Sequence, residues 1–578
     1  MKLLFEEYLY DLPYVQKVSL SAYFFFCEEL GSAQVPYVGY FYSEQVRDSV
    51  FILPKVFLFE GQGNASNKEI AFGKYRPEDI IDIESSDNPL RRDGFDKVIF
   101  NLSVWLYQSI QRYHARHTSG EIIENAKIGN VISNKGNSDQ TFLDVILSLL
   151  RFHKEHQHLF TFISIVNSSG NNKIHWNKTI SKVQPLIYDD VPFYAEFRNK
   201  SRTINFDEDI IVLFYSVLDY LKQKYSFPII VNLNYDIIKP RRVEDLIDTG
   251  KGTRLLKSIR KKYFTDELVS LWKLLYVFFQ KAEVIQKGRY HEEALLVRNY
   301  NLVFEDMIDV LIGEEMPEIA HLKSTKDGKR IDHIYKDYSL IPGGEVFFIG
   351  DSKYYKDSTD IVGESIHKQY TYAKNIIQYC LNIIQKDPCN RNFDERKVIS
   401  NIRYRDELTE GYNITPNFFI RGTIRSEYIA NGKIDYETPG LEADGQDLPV
   451  NSHFANRLFD RDTLILQTYR INFLFVLSSY VRRNGNNGFK IETRRRFRSD
   501  MIRTFNERYH FYKITPFDNS VEGVMRFVEK HFKLLIGKIY RGADDETTIW
   551  LALEKNQDSS EVLRAITNES SVELTEMK

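Results

Sequence analysis

The reading turns on RIDHIYKDYSLIPGGEVFFIGDSKYYK, residues 330–356. Two β-prone runs flank Pro342-Gly343-Gly344, a strong turn signal, so the stretch predicts a β-hairpin. A plain hairpin does not explain Asp332 on one strand with Asp351 and Lys353 on the other, because charged groups are costly to bury without partners. With the turn centred on Pro342 and Gly343, Asp332 falls opposite Lys353 and diagonal to Asp351. Side chains alternate faces along a strand, so Asp351 and Lys353 share one face while Ser352 points away. Two carboxylates and an amine therefore converge on one patch.

Such a patch suits a hard cation. Mg²⁺ prefers oxygen ligands, keeps several waters and binds through one or two carboxylates plus phosphate. A neighbouring lysine can orient or deprotonate an attacking water. The upstream helix NLVFEDMIDVL, residues 301–311, supplies a third acid. Its Glu305 has Leu302 and Ile308 three residues to either side, beside the apolar face, where a carboxylate needs a partner.

Working outward, residues 291–517 read as helix, hairpin, helix, returning strand and covering helix. The helix ends at Gly313; ESIHKQYTYAKNIIQYCLNII (364–384) is the next helix, NFFIRGTI (417–424) the strand and DTLILQTYRINFLFVLSSYV (462–481) the covering helix. That order predicts an α/β core. Residues 1–140 mix strand-like runs such as VFILPKVFLFE with the helical NLSVWLYQSIQRYHARH, a mixed α+β domain for docking or DNA recognition. Residues 141–290 form a central mixed α/β region, and 518–578 a charged, partly helical tail.

Composition narrows the class. The chain has 578 residues, 43% hydrophobic and 27% charged, with net charge -3, so any DNA-binding face must be local. Three cysteines exclude a disulfide framework and a four-thiolate zinc site, and fit a reducing compartment. Acids within the first seven residues argue against a signal peptide. The most membrane-like stretch carries Arg470 and Asn472, so the expectation is a cytoplasmic protein with no membrane partner. DTGKGT (248–253) lacks the spacing of a phosphate loop and reads as a turn, so the chain by itself is expected to hydrolyse no nucleotide. His153, His156 and His158 lack metal-ligand spacing, and Cys380 and Cys389 read as a core and a loop thiol. Two basic runs remain: KSIRKKY (257–263) and ETRRRFRSDMIRTFNERYHFYK (492–513). In the second, Arg494, Arg495, Arg496, Arg498 and Arg503 are candidates for DNA phosphates.

A helix Glu, then Asp, then Asp-x-Lys after a short hairpin resembles the PD-(D/E)xK nuclease fold. FEDMIDVL, RIDHIY, GDSKYY and HKQYTYAK are similar to nuclease subunits of McrC type. KIHWNKTI (173–180), similar to a tryptophan-containing strand, and SHFANRLFDRDTLILQTYRINFLFVL, similar to a C-terminal helix, resemble the LlaJI restriction endonuclease family. The resemblance covers roughly residues 170–510 and leaves the first 140 uncovered. It implies a restriction-endonuclease-like core, with Asp332 and Asp351 as Mg²⁺ ligands, Lys353 as catalytic lysine, Glu305 as helix acid and metal ligand, and Gln369 as the polar residue of the following helix. The proline of the fold's name is absent, since Ile331 precedes Asp332. The family's Gln-x-x-x-Tyr meets Ala373 where Tyr belongs, with Tyr372 one position early. The implied activity is hydrolysis of double-stranded DNA to 5′-phosphate and 3′-hydroxyl ends within a foreign-DNA defence system, with an McrB-like AAA+ GTPase as partner. Two rivals are a non-catalytic regulator that stimulates such a ring and an autonomous repair nuclease.

Overall fold

Every residue of the strand Thr415–Thr423 is buried, and this strand is the centre of the sheet that carries the hairpin. The sheet order is His333–Tyr338, Glu345–Lys353, Thr415–Thr423, Leu464–Asn472, Glu442–Ala443. The hairpin pair is antiparallel and the next two pairings are parallel. Central parallel strands are covered on both faces, which is why neither NFFIRGT nor LILQTYRIN alternates strictly between apolar and polar residues. The helices Tyr300–Ile312 and Gly363–Gln385 pack on the long hairpin strand.

This computed structural model describes residues 1–14, 25–27, 31–43, 48–61, 69–117, 128–130, 142–157, 159–168, 173–225, 229–232, 234–286, 293–317, 322–323, 330–356, 363–385, 401–430, 433–444, 454–482, 487–542, 545–555, 559–569 and 571–577. They divide into two compact units. One comprises Met1, Tyr42–Asp48 and Asn130–Ala294; the other comprises Lys2–Phe41, Ser49–Gly129 and Leu295–Lys578. The division differs from the four segments expected, because the N-terminal and C-terminal segments share a unit with the hairpin.

A second sheet runs Lys2–Phe5, Asp48–Leu53, Val38–Ser43, Glu293–Val297, Ile128–Asn130, most of its residues belonging to that larger unit. The strand leading into the Glu305 helix thus hydrogen-bonds with N-terminal strands. The approach is close: a Cβ at Gly39, where φ is +139°, would lie 2.1 Å from the Leu295 carbonyl oxygen. The N-terminal helix Asp96–Arg116 adds further links. Ser109 and Tyr300 hydroxyls meet at 3.0 Å, Arg112 donates to the Tyr480 carbonyl, and His117 Nε2 lies 3.0 Å from Asp306 Oδ1.

Three sequence expectations are corrected. The covering helix is a buried strand, Leu464–Asn472, followed by the helix Phe473–Arg482. Periodicity cannot separate a fully buried strand from a buried helix, and here the two are consecutive. Trp176 begins the helix Trp176–Lys182 instead of lying in a strand. The segment taken for a partly helical tail is a folded layer, in which the helices Val521–Leu535 and Ser559–Thr567 accompany an antiparallel sheet ordered Ile539–Tyr540, Ile549–Glu554, Tyr509–Pro516, Val572–Met577. Ile514 and Leu551 of the sheet and Val524, Phe527 and Val562 of the helices form its buried core.

The smaller unit groups the helices Phe142–Glu155, Asp209–Tyr225, Pro240–Asp248, Lys251–Ile259 and Asp266–Gln286. DTGKGT spans the last residue of one helix, the two-residue turn Thr249–Gly250 with Gly250 at φ +62°, and the first residues of the next helix. The antiparallel strands Phe162–Asn167 and Asn199–Ile204 lie in the same unit. Cys380 is buried, as a core thiol should be. His158 and Cys389, with the loop residues 62–68, 169–172 and 324–329, lie outside the described residues.

Candidate active site

The turn places the acids. Gly343 and Gly344 adopt φ +122° and +110°, which side chains disfavour, and the chain reverses so that His333 pairs with Gly350. One further step along that register sets Asp332 opposite Asp351. The expected partner, Lys353, is two positions away, because the reversal centres between Ile341 and Pro342, one residue earlier than a reversal centred on Pro342 and Gly343. Gly350 fits only as glycine: a Cβ there would lie 2.1 Å from the Phe418 ring of the neighbouring strand.

The consequence is electrostatic. Burial, then the Glu305 and Asp351 charges, push the Asp332 carboxyl well above the usual carboxylate range. The Ser352 backbone N–H opposes this by donating to Asp332 Oδ2 at 2.8 Å. Burial also raises Glu305, to about 7; Arg330 and the Asn301 amide, which donates to Oε1 at 3.2 Å, pull against it, while Asp351 adds to it. Lys353 is ion-paired with Asp351 and only 8% exposed. Its Nζ donates to Ser365 Oγ at 3.2 Å and lies 4.9 Å from the Phe419 ring centre.

The structure thus brings Glu305, Asp332, Asp351 and Lys353 together. Among the described residues no three His, Cys, Asp or Glu side chains are already arranged as a metal cage. Two facing carboxylates with a third acid nearby nevertheless fit Mg²⁺, which uses one or two carboxylates, and a dication would relieve the repulsion between them.

Gln369 is fully buried and not a solvated helix residue. Its Nε2 donates to the Ile349 carbonyl at 2.9 Å, gripping the hairpin strand two residues before Asp351.

Sequence reasoning missed the support behind the acids. His333 is fully buried, with Nε2 2.6 Å from Ser352 Oγ and Nδ1 3.4 Å from Asp309 Oδ1. Lys323 Nζ donates to both Asp309 oxygens, at 3.0 and 2.9 Å. Burial pushes Asp309 up, but His333 and Lys323 hold it down at about 2. The available signal was Asp309 four residues after Glu305, on the same helix side, with His333 and Ser352 one position from each hairpin acid.

The arginine run forms the helix Asn487–Arg508, and part of it is engaged by the fold. Arg494 donates to the Ile312 carbonyl at 2.8 and 3.0 Å and to Gly313 at 3.1 Å, capping the Glu305 helix. Arg498 donates to the Ser339 carbonyl at 2.8 and 3.1 Å, and Arg496 and Arg503 lie 3.7 and 3.1 Å from Asp500. Arg495 is exposed. Arg494 and Arg498 thus serve the fold, while Arg495, Arg496 and Arg503 stay exposed on the helix surface.

No protein-family model matches the chain, and no curated protein matches it. Among solved structures it is similar to a chain of a Thermococcus gammatolerans assembly described as a refined half-complex from a tetradecameric assembly of McrB AAA+ hexamers with bound McrC. The identity is 12% and the TM-score 0.26, over 84% of this chain and 99% of the other. A likeness at that score carries no argument about fold or function. No helix among the described residues is long and apolar enough to cross a membrane.

Proposed function

We propose that the chain is a Mg²⁺-dependent DNA endonuclease with a PD-(D/E)xK core, acting in a restriction system with an AAA+ GTPase partner. The observation that carries this reading is the meeting of Asp332, Asp351 and Lys353 at one end of the hairpin, with Glu305 alongside. A surface ion pair needs no such burial, whereas phosphodiester hydrolysis needs charge and a proton carrier held in a shielded place.

Asp332, Asp351 and Glu305 would hold the metal, which supplies Lewis-acid stabilisation of the negative charge that develops at the phosphate. Lys353, fixed by Asp351 and Ser365, orients the attacking water and offsets that charge. Ser352 fixes Asp332 through its backbone N–H. Gln369 keeps the strand before Asp351 in place. The partner rests on the resemblance in the sequence and on the turn at DTGKGT, which offers no phosphate loop.

Plasmid cleavage by the purified chain tests both parts, with and without Mg²⁺, GTP and an McrB-like partner. Cleavage that needs Mg²⁺ and rises with partner and GTP supports the reading. Cutting by the lone chain without nucleotide returns an autonomous nuclease. Stimulated GTP hydrolysis by the partner with no cutting under any condition returns the regulator.

A further inference from the structure

A second cluster of exposed cations lies outside the arginine helix. Residues 239–263 hold nine Lys or Arg against three Asp or Glu, in a chain whose net charge is -3. They form two short helices, Pro240–Asp248 and Lys251–Ile259, joined through the positive-φ Gly250 and followed by the turn Arg260–Lys262. Val243 and Ile247 on the first helix, and Leu256 and Ile259 on the second, are buried. Gly252 sits so close to the long helix Asp266–Gln286 that a Cβ would lie 2.3 Å from the Phe279 ring. The apolar sides face inward, and the cations must face out.

Some of these cations are used locally. Arg254 donates to the Thr249 carbonyl at 2.8 Å, Arg260 lies 5.1 Å from the Trp272 ring centre, and Lys262 pairs with Asp209 at 2.6 Å. Lys239, Arg241, Arg242, Lys251, Lys257 and Lys261 are exposed with no carboxylate partner among the described residues. On the second helix and its extension, Lys251, Arg254, Lys257 and Lys261 recur every three or four residues, along roughly 15 Å at the helical rise. That matches about four steps of one DNA strand.

We infer that this helix pair is a binding surface for the phosphate backbone of duplex DNA. The inference rests on the nuclease reading for its choice of polyanion, and the surface holds the substrate without reading its sequence. An acidic protein partner fits less well. Protein interfaces need an apolar centre, and Leu255 is the one exposed apolar side chain on these two helices.

The test is anisotropy of a fluorescein-labelled mixed-sequence duplex with the full chain, without Mg²⁺, across a salt series. Lys251→Gln/Lys257→Gln/Lys261→Gln should weaken binding roughly tenfold or more at ~0.1 M salt and lower the log–log salt slope by about 2.7, at ~0.9 per lost phosphate contact. The Lys→Arg triple at the same positions should keep both. A charge-matched control, Arg76→Gln/Lys433→Gln/Lys533→Gln, at exposed cations outside both basic runs, should move the slope by less than half as much. Equal losses in the two Gln triples would reduce the effect to overall charge and overturn the inference. So would an unchanged slope in the lysine triple, or a wild-type chain that binds no duplex at low salt. The hairpin reading is judged apart from this, by Mg²⁺-dependent cleavage, and loss of cleavage alone leaves the binding result standing.

Discussion

The Ser352 backbone N–H donates to Asp332 Oδ2 at 2.8 Å, tying the two hairpin strands where Asp332 meets Asp351. Opposed carboxylates would otherwise push the strands apart, since like charges directly opposite destabilise a pair. The same residue has its hydroxyl 2.6 Å from His333 Nε2, so Ser352 is held through both its backbone and its side chain.

The acids and the lysine should be separable from folding. Asp351→Ala and Lys353→Ala remove charged groups at the edge of the core and contribute little apolar packing. Each should lower plasmid cleavage by about 10³-fold or more, the scale seen when a charge-stabilising group is lost. The thermal melt should stay cooperative. Cleavage near wild-type rate by folded Asp351→Ala protein would remove the hairpin from the chemistry.

His333 should act through Ser352. Losing a group that orients a metal ligand typically costs 10–100-fold in activity or metal affinity. His333→Ala and Ser352→Ala should each fall within about that range, with the double variant no worse than the poorer single one. Multiplicative losses in the double variant would show that the two residues work independently.

Hairpin, helix acid and Asp-x-Lys were legible because each leaves a local mark: a Pro-Gly-Gly turn, a carboxylate beside an apolar stripe, alternating faces. Register was not, since the exact reversal through Ser339–Gly344 is set by glycine backbone angles, and it moved Asp332 from Lys353 to Asp351. The strand Leu464–Asn472 was illegible for a different reason: burial on both faces erases alternation. The role of Arg494 and Arg498 was hidden too, because carbonyls at a helix end and a strand end leave no trace in an arginine-rich string.

Glu6 gives a pH signature. Its buried carboxylate accepts from Tyr354, the residue after Lys353, and from the Lys55 backbone N–H at 3.1 Å. Burial raises its pKa from 4.5 to about 7, against the pull of Lys55 and Tyr354. The folded chain therefore holds this proton more tightly than the unfolded chain. Its contribution is full below the unfolded value and is lost as pH rises through about 7, a difference of roughly 3 kcal/mol. Glu6→Gln, which keeps an acceptor and removes the charge, should raise the melting temperature at pH 8 and change it little at pH 4. Equal shifts at both pH values would show that ionisation of Glu6 is not the cause.

Removing the N-terminal region should not release a free nuclease domain, although the sequence suggested a separable docking module over residues 1–140. Without that region the strand Glu293–Val297 loses its sheet neighbours just before the Glu305 helix. Glu6 is lost from Tyr354, and Arg116 and His117 from Asp306. Asp306 is 6% exposed and would keep only the Tyr480 hydroxyl. A buried carboxylate stripped of its cations costs about 3–5 kcal/mol, a large share of a domain's ordinary stability. The 141–578 fragment should therefore be insoluble or open to limited proteolysis within the hairpin sheet, while the full chain resists. Asp306→Asn in the fragment should recover part of the loss, because it removes the stranded charge. A soluble, cooperatively melting 141–578 fragment would show that residues 1–140 are a detachable module after all.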